Sequence, residues 1–163
     1  MFLQAAADGD DDLLRDLLLR GVDIEAHDEH GRSALQLGVE NGHLAVVQVL
    51  IARFDDVKLE RPGQDTIVHY AARVGNKELM QLLLKSAFRK ALKIHGSEGL
   101  TPIGTASKQC HEDIVWLLLA AVPDGAERNE AYDEALRAAA LAYHEVLVNQ
   151  LLQKGVNHDR PTR

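Results

Sequence analysis

The chain has 163 residues, 46% of them hydrophobic but only 4% aromatic, so its core must be built from Leu, Val, Ile and Ala; that suits close-packed helices better than a β-sandwich. A formal net charge of −7 argues against a nucleic-acid-binding surface over the whole molecule, since phosphate contacts need a basic face, and disfavours attraction to anionic membranes. A single cysteine excludes an internal disulfide framework and fits a reducing compartment.

The apolar runs, such as Leu82–Leu84 and Leu117–Val122, are far too short to span a bilayer. Residues 1–20 carry Asp8, Asp10, Asp11 and Asp12 where a signal peptide would be basic and then apolar. The expectation is an intracellular protein, cytoplasmic, with the nucleus as the alternative.

One spacing organises the chain. Gly9, Gly42 and Gly75 stand 33 residues apart, and the slot recurs as Cys110, 35 residues on, and Tyr143, 33 further. A period in this range marks a stacked repeat array in which each unit covers the apolar face of its neighbour. Five units are expected, at about 1–27, 28–60, 61–95, 96–128 and 129–163, forming one domain.

The first unit starts directly in a helix (Phe2–Ala7), and its Asp10–Asp12 run is solvated. In the second, Ser33 caps a short helix through Leu35 and Val39 that Gly42 ends. Leu44, Val46, Val47, Leu50 and Ile51 then give a stripe of helical period. Asp55–Asp65 is polar, with Pro62 and Gly63 as turn punctuation. The connection 85–100, KSAFRKALKIHGSEGL, is two residues long relative to the period and is expected to prolong the preceding helix. Lys85, Arg89 and Lys93 would then share one face, with Phe88, Leu92 and Ile94 inward. In the fourth unit Thr101 is expected to cap a helix whose first position is Pro102, where a missing N–H costs nothing. The last unit lacks a Thr-Pro pair, and its Asn149 and Gln150 would blunt an exposed end; another finger could begin at His158–Arg163. At Cys110 and Tyr143 a left-handed turn would cost on the order of 1 kcal/mol relative to glycine.

These residues carry a family resemblance. GRSALQLGVENGHLAVVQVLIAR (31–53), DTIVHYAARVGNKELMQLLLK (65–85) and GLTPIGTASKQCHEDIVWLLLA (99–120) resemble ankyrin repeats. The family's Gly-x-Thr-Pro-Leu-His-x-Ala opening survives in pieces: Gly31 and Ser33, Thr66 and His69, then Gly99, Thr101 and Pro102. Gly104 replaces the motif histidine. The resemblance covers nearly the whole chain, with the first and last units degenerate. It implies an all-α solenoid of stacked helix-turn-helix units with β-hairpin-like fingers, in which fingers and first helices form a concave face. It also implies a structural role for His69, bonding back to its turn.

The implied concave face includes Leu37, Glu40, Tyr70, Arg73, Thr105 and Lys108 from the first helices. His30, Arg32, Arg61, Gln64, Asp65 and Glu98 come from the fingers. Both charge signs around a Tyr and a Leu suit a protein-binding groove, and Tyr70 with Arg73 is the expected anchor pair. Trp116 takes a second-helix place held elsewhere by Arg15, Gln48, Gln81 and Asn149; it is either an exposed hot spot or covered by the 85–100 connection. The basic residues Lys85, Arg89, Lys90 and Lys93 read as a solvated face ahead of a docking patch for an acidic partner.

Other clusters point to no chemistry. His27, Asp28 and His30 are zinc-ligand types, but their spacing matches no closed site. His43, His111 and His144 follow the slot in successive units and read as parts of the repeat. Cys110 beside His111 fills the glycine slot, and no nucleophile–base–orienter set or phosphate loop emerges. No catalytic residue, metal or cofactor is expected. The reading is a protein-interaction module that binds a protein partner as a monomer, with no nucleic acid or membrane. The alternatives are a small-molecule-binding or enzymatic scaffold with a site at the irregular 85–111 region, where Tyr70, His95, Cys110 and His111 would converge, or a structural segment of a longer array.

Overall fold

A computed structural model describes residues 1–53 and 64–158. Among them are five helix pairs and one 3-10 helix, with no strand and only an isolated antiparallel bridge between His27 and Ser33. The pairs are α1 (Phe2–Asp8) with α2 (Asp11–Leu19), α3 (Ala34–Glu40) with α4 (Leu44–Ile51), and α5 (Ile67–Val74) with α6 (Lys77–Lys85). Then come α7 (Pro102–Lys108) with α8 (Glu112–Ala121), and α9 (Ala126–Leu141) with α10 (Glu145–His158). First helices pack in the order α1, α3, α5, α7, α9, and second helices α2, α4, α6, α8 run alongside. The expected all-α stack is the architecture observed.

Each pair is punctuated by the slot residue. Gly9, Gly42, Gly75, Cys110 and Tyr143 all take left-handed backbone, at φ 82°, 76°, 74°, 59° and 60°. At four of the five, Gly75 excepted, the next N–H returns to a carbonyl five residues back, as in His43 N to Gly38 O at 2.8 Å and His144 N to Ala139 O at 2.9 Å. This closes the helix end in a Schellman-type turn. The second helix starts at once. Asp10 caps α2 by accepting from Leu13 N at 2.9 Å, and Asn76 caps α6 by accepting from Leu79 N at 3.0 Å. The cysteine and tyrosine therefore keep the conformation that glycine favours.

The core runs between the two helix layers. Leu14, Leu50, Leu79, Met80, Leu83, Ile114, Leu118, Leu147 and Leu151 are fully buried, each worth about 1.5–3 kcal/mol relative to an exposed position.

Three local expectations are corrected. The 85–100 connection does not prolong α6. Ser86 turns extended (ψ −178°) and starts a separate 3-10 helix, Ala87–Lys93, by accepting from Phe88 N at 3.3 Å. With three residues per turn, Lys85, Arg89 and Lys93 no longer share a face. Phe88 still packs inward, and Leu92 and Ile94 pack in part. Arg89 donates to Ala121 O at the end of α8 (2.6 Å), and Lys93 pairs with Glu127 (2.5 Å), so half of the basic segment braces the next units. Second, Gln150 does not blunt the end; its Nε2 reaches back to Glu112 at 3.0 Å. Third, Pro102 does open α7, but the Thr101 hydroxyl does not cap it. That hydroxyl donates instead to Glu134 Oε2 at 2.8 Å, because a carboxylate from α9 is closer to hand and also accepts Thr101 N at 2.7 Å.

Candidate protein-binding face

The helix ends and fingers on one side of the stack carry a ladder of charge pairs. Positions 32, 65 and 98 are 33 residues apart, and each joins a finger to the first helix that follows. Arg32 lies 3.5 Å from Glu40 and 2.9 Å from Asp28. Asp65 pairs with Arg73, and Glu98 with Lys108 at 2.8 Å. The polarity reverses once: the helix end is acidic in the second pair and basic in the third and fourth. Isolated surface pairs contribute about 0–1 kcal/mol each, so the ladder's main effect is to fix where the charges stand.

Its middle rung is the most built. The Arg73 guanidinium lies 5.4 Å from the centroid of the Tyr70 ring, within cation–π range. Asp65 accepts from Ser97 N (2.9 Å) and Ser97 Oγ (3.0 Å) as well as from Arg73. Burial alone would raise its pKa, but the Ser97 N–H and the Arg73 guanidinium outweigh it and hold the carboxyl below its ordinary value. Asp28 is also held low, chiefly by the Arg32 N–H; its carboxylate accepts the His30 and Arg32 backbone N–H groups at 2.9 and 2.8 Å and so shapes the finger.

Of the residues expected on this face, Glu40, Tyr70, Arg73, Lys108, His30, Arg32, Gln64, Asp65 and Glu98 are at least partly accessible. Leu37 and Thr105 are corrected: they are 4% and 6% exposed. α3 and α7 are each seven residues long and flanked by a helix on either side, so little of their surface is left over, and Thr105 Oγ1 turns in to Thr101 O at 3.2 Å. Arg61 lies outside the described residues. Trp116 is corrected too. It is half-buried, with Tyr132 of α9 (centroids 6.5 Å apart) and Lys154 of α10 (3.9 Å above the ring) against it, contacts that the sequence did not reveal.

The histidines behave as joints. His69 is buried; its Nδ1 accepts from Thr66 N at 3.0 Å and its Nε2 donates to Leu100 O at 3.0 Å. Burial lowers its pKa, and the two bonds require the neutral ring. His43, His111 and His144 donate from Nε2 to Ala7 O, Arg73 O and Lys108 O of the preceding pair, at 2.9, 3.0 and 2.8 Å. His111 is thus tied into the stack, and Cys110 beside it forms the turn. Among the described residues no three His, Cys, Asp or Glu side chains are grouped to hold a metal, and no helix is long and apolar enough to cross a membrane.

The family model described as "Ankyrin repeats (3 copies)" matches residues 2–94 and 53–130. The chain belongs to the ankyrin-repeat family. Similar proteins include ankyrin repeat domain-containing protein 63 of Mus musculus and of Homo sapiens, each 32% identical over 64% of this chain. The protein fem-1 homolog A-like of Mus musculus is 29% identical over 63% of it. The chain spans 27%, 28% and 15% of those relatives' own lengths. Ankyrin repeats are in general protein-interaction modules, and the ladder is a surface of the kind such a module presents.

Sequence reading missed two features. Glu134 stands in for the histidine absent at Gly104, a substitution across units that no pattern within one unit reveals. Leu141, Tyr143 and Val146 are exposed; comparison of each position with its counterparts one period back would have found them.

Proposed function

We propose that this ankyrin stack binds a partner protein along its finger and first-helix face, with Tyr70 and Arg73 as the central anchor. The observation that carries the reading is the middle rung, where Asp65 and the Tyr70 ring hold an accessible guanidinium in one place. Tyr and Arg are the residue types that dominate interface energies, and a side chain already ordered loses little entropy on binding. The reversal from Glu40 to Arg73 and Lys108 favours a partner whose charge runs from basic opposite the second pair to acidic opposite the third and fourth. The chain acts as a monomer in the cytoplasm on this reading, without cofactor or metal.

The test is an affinity pulldown from native cell extract with wild-type bait beside a folded Tyr70→Ala/Arg73→Ala double variant. The captured protein is then titrated against each single variant. Tyr70→Ala is expected to weaken binding by about 1–2 kcal/mol; an unchanged affinity would remove the face from consideration.

A further inference from the structure

Nearly all the aliphatic hydroxyl groups of this chain are taken up inside the stack. Among the described residues Thr66, Thr101, Thr105 and Ser107 are buried, Ser33 caps α3, and Ser86 closes α6. Ser97 is the one serine or threonine among them that is exposed. It stands between the 3-10 helix, which ends at Lys93, and α7, which starts at Pro102. Gly99 N closes a turn on Gly96 O at 3.0 Å, so Ser97 and Glu98 take its two outer corners. His95, Glu98 and Gly99 are exposed as well. An enzyme can reach this side chain without opening the helix pairs.

What Ser97 touches sets it apart further. Its Oγ donates to Asp65 Oδ1 at 3.0 Å and its N–H donates to the same oxygen at 2.9 Å, while Arg73 binds Oδ2. One carboxylate is thus shared between this finger and the arginine that lies over Tyr70. A β-carbon at Gly96 would lie 2.2 Å from Asp65 Oδ1, so the finger is built around that carboxylate. The next cation along the face, Lys108, is already paired with Glu98 at 2.8 Å.

We infer that Ser97 is a phosphorylation site that controls the Tyr70–Arg73 rung. The transfer forms a bond between Ser97 Oγ and the γ-phosphorus of a nucleoside triphosphate. It breaks the bond from that phosphorus to the leaving nucleoside diphosphate and passes the hydroxyl proton to the base of the protein kinase. The resulting ester oxygen has no proton to give Asp65, and the added group carries about −1.5 to −2 charges at pH 7. Asp65 and Arg73 together sum to zero, so the rung becomes anionic. A guanidinium meets phosphate oxygens with paired charge-assisted bonds, and Arg73 is the cation already on the carboxylate that Ser97 touches. It turns from Tyr70 toward the phosphate. The inference rests on the reading that this face binds protein: a partner held by the Arg73 cation is released when phosphate takes that cation.

The full chain, incubated with native cell extract and magnesium ATP, is fragmented and sequenced by mass spectrometry. Phosphate is expected on Ser97, and most of the incorporated phosphate should be lost in Ser97→Ala. Chain made with phosphoserine at position 97 is then titrated by phosphorus NMR. The second proton, lost at about pH 6 from free phosphoserine, should leave about one pH unit lower in the wild-type background than in Arg73→Ala. The protein captured by the pulldown should bind the phosphorylated chain at least about tenfold more weakly than the unmodified one. An unlabelled Ser97, equal midpoints, or equal binding of the two forms would each overturn the switch and leave the unmodified face standing as a binding surface. A partner indifferent to Tyr70→Ala/Arg73→Ala would remove that face instead, and labelling with the midpoint then upholds or overturns the Ser97 site on its own.

Discussion

The joint between α5 and α7 and the joint between α7 and α9 solve one problem with different parts. Both must satisfy the backbone N–H of the threonine before the first helix, Thr66 or Thr101. In the first joint His69 accepts it from within its own unit and passes a bond on to Leu100 O. In the second Gly104 takes the histidine's place, and Glu134 reaches in from the following unit to accept both the N–H and the hydroxyl of Thr101. A β-carbon at Gly104 would lie 2.5 Å from Glu134 Oε1, so the glycine and the glutamate are two halves of one substitution. A repeat motif can thus persist as a hydrogen bond while the residue that makes it moves to a neighbouring unit.

The largest expected effect is at the first joint. His69→Ala leaves a cavity and the buried Thr66 N–H without a partner, while Leu100 O keeps only its bond from Gly96 N at 2.8 Å; it is expected to cost about 2–4 kcal/mol in chemical denaturation. Glu134→Ala should cost less, about 1–3 kcal/mol, because the site is only half-buried and water can enter. Equal losses would mean that the two joints are equally dry.

Acid separates the joints further. Burial lowers the His69 pKa from its ordinary 6.5, so the unfolded chain takes up the proton more readily than the folded one. The stability His69 contributes is therefore full above about pH 6.5 and is lost as pH falls from there toward the lowered folded value. A urea midpoint that falls as pH drops below about 6.5 in wild type and is flatter in His69→Ala is the expected result. Asp65, also held low, adds its own loss only in the more acidic range, as pH falls through its folded pKa.

The smallest effect comes from the turn slot. Cys110→Gly and Tyr143→Gly should each stabilise by about 1 kcal/mol, and Gly42→Ala should destabilise by a similar amount, as read from thermal midpoints. A loss in Tyr143→Gly would show that the ring packs against the stack after all.

Much of the architecture was legible because it repeats. The period of the slot set the helix pairs, and the stripe of Leu44, Val46, Val47 and Leu50 recurred closely enough to locate the core. What depended on one unit touching another was not. Thr101 looked like a helix cap until Glu134 arrived from 33 residues away, and Trp116, read as either exposed or covered by the 85–100 connection, proved to lie against Tyr132 and Lys154. Ser86 ended α6 through a local hydrogen bond to Leu83 O at 2.6 Å, which the apolar period of KSAFRKALKI does not encode. On the candidate face the charged residues were placed, but Leu37 and Thr105 were not, because short helices between two neighbours leave little free surface.

The histidine staples have a consequence for how the stack comes apart. They cross three of the four seams, at His43, His111 and His144. At the remaining seam, between α3–α4 and α5–α6, Asn76 occupies the place and turns its side chain to its own helix. Arrays of this kind behave as a line of coupled elements whose cooperativity is set by each nearest-neighbour contact. Among the described residues this seam alone lacks the histidine staple, so under a pulling force, or in the slow breathing that lets amide protons exchange, it is where the stack is expected to open first.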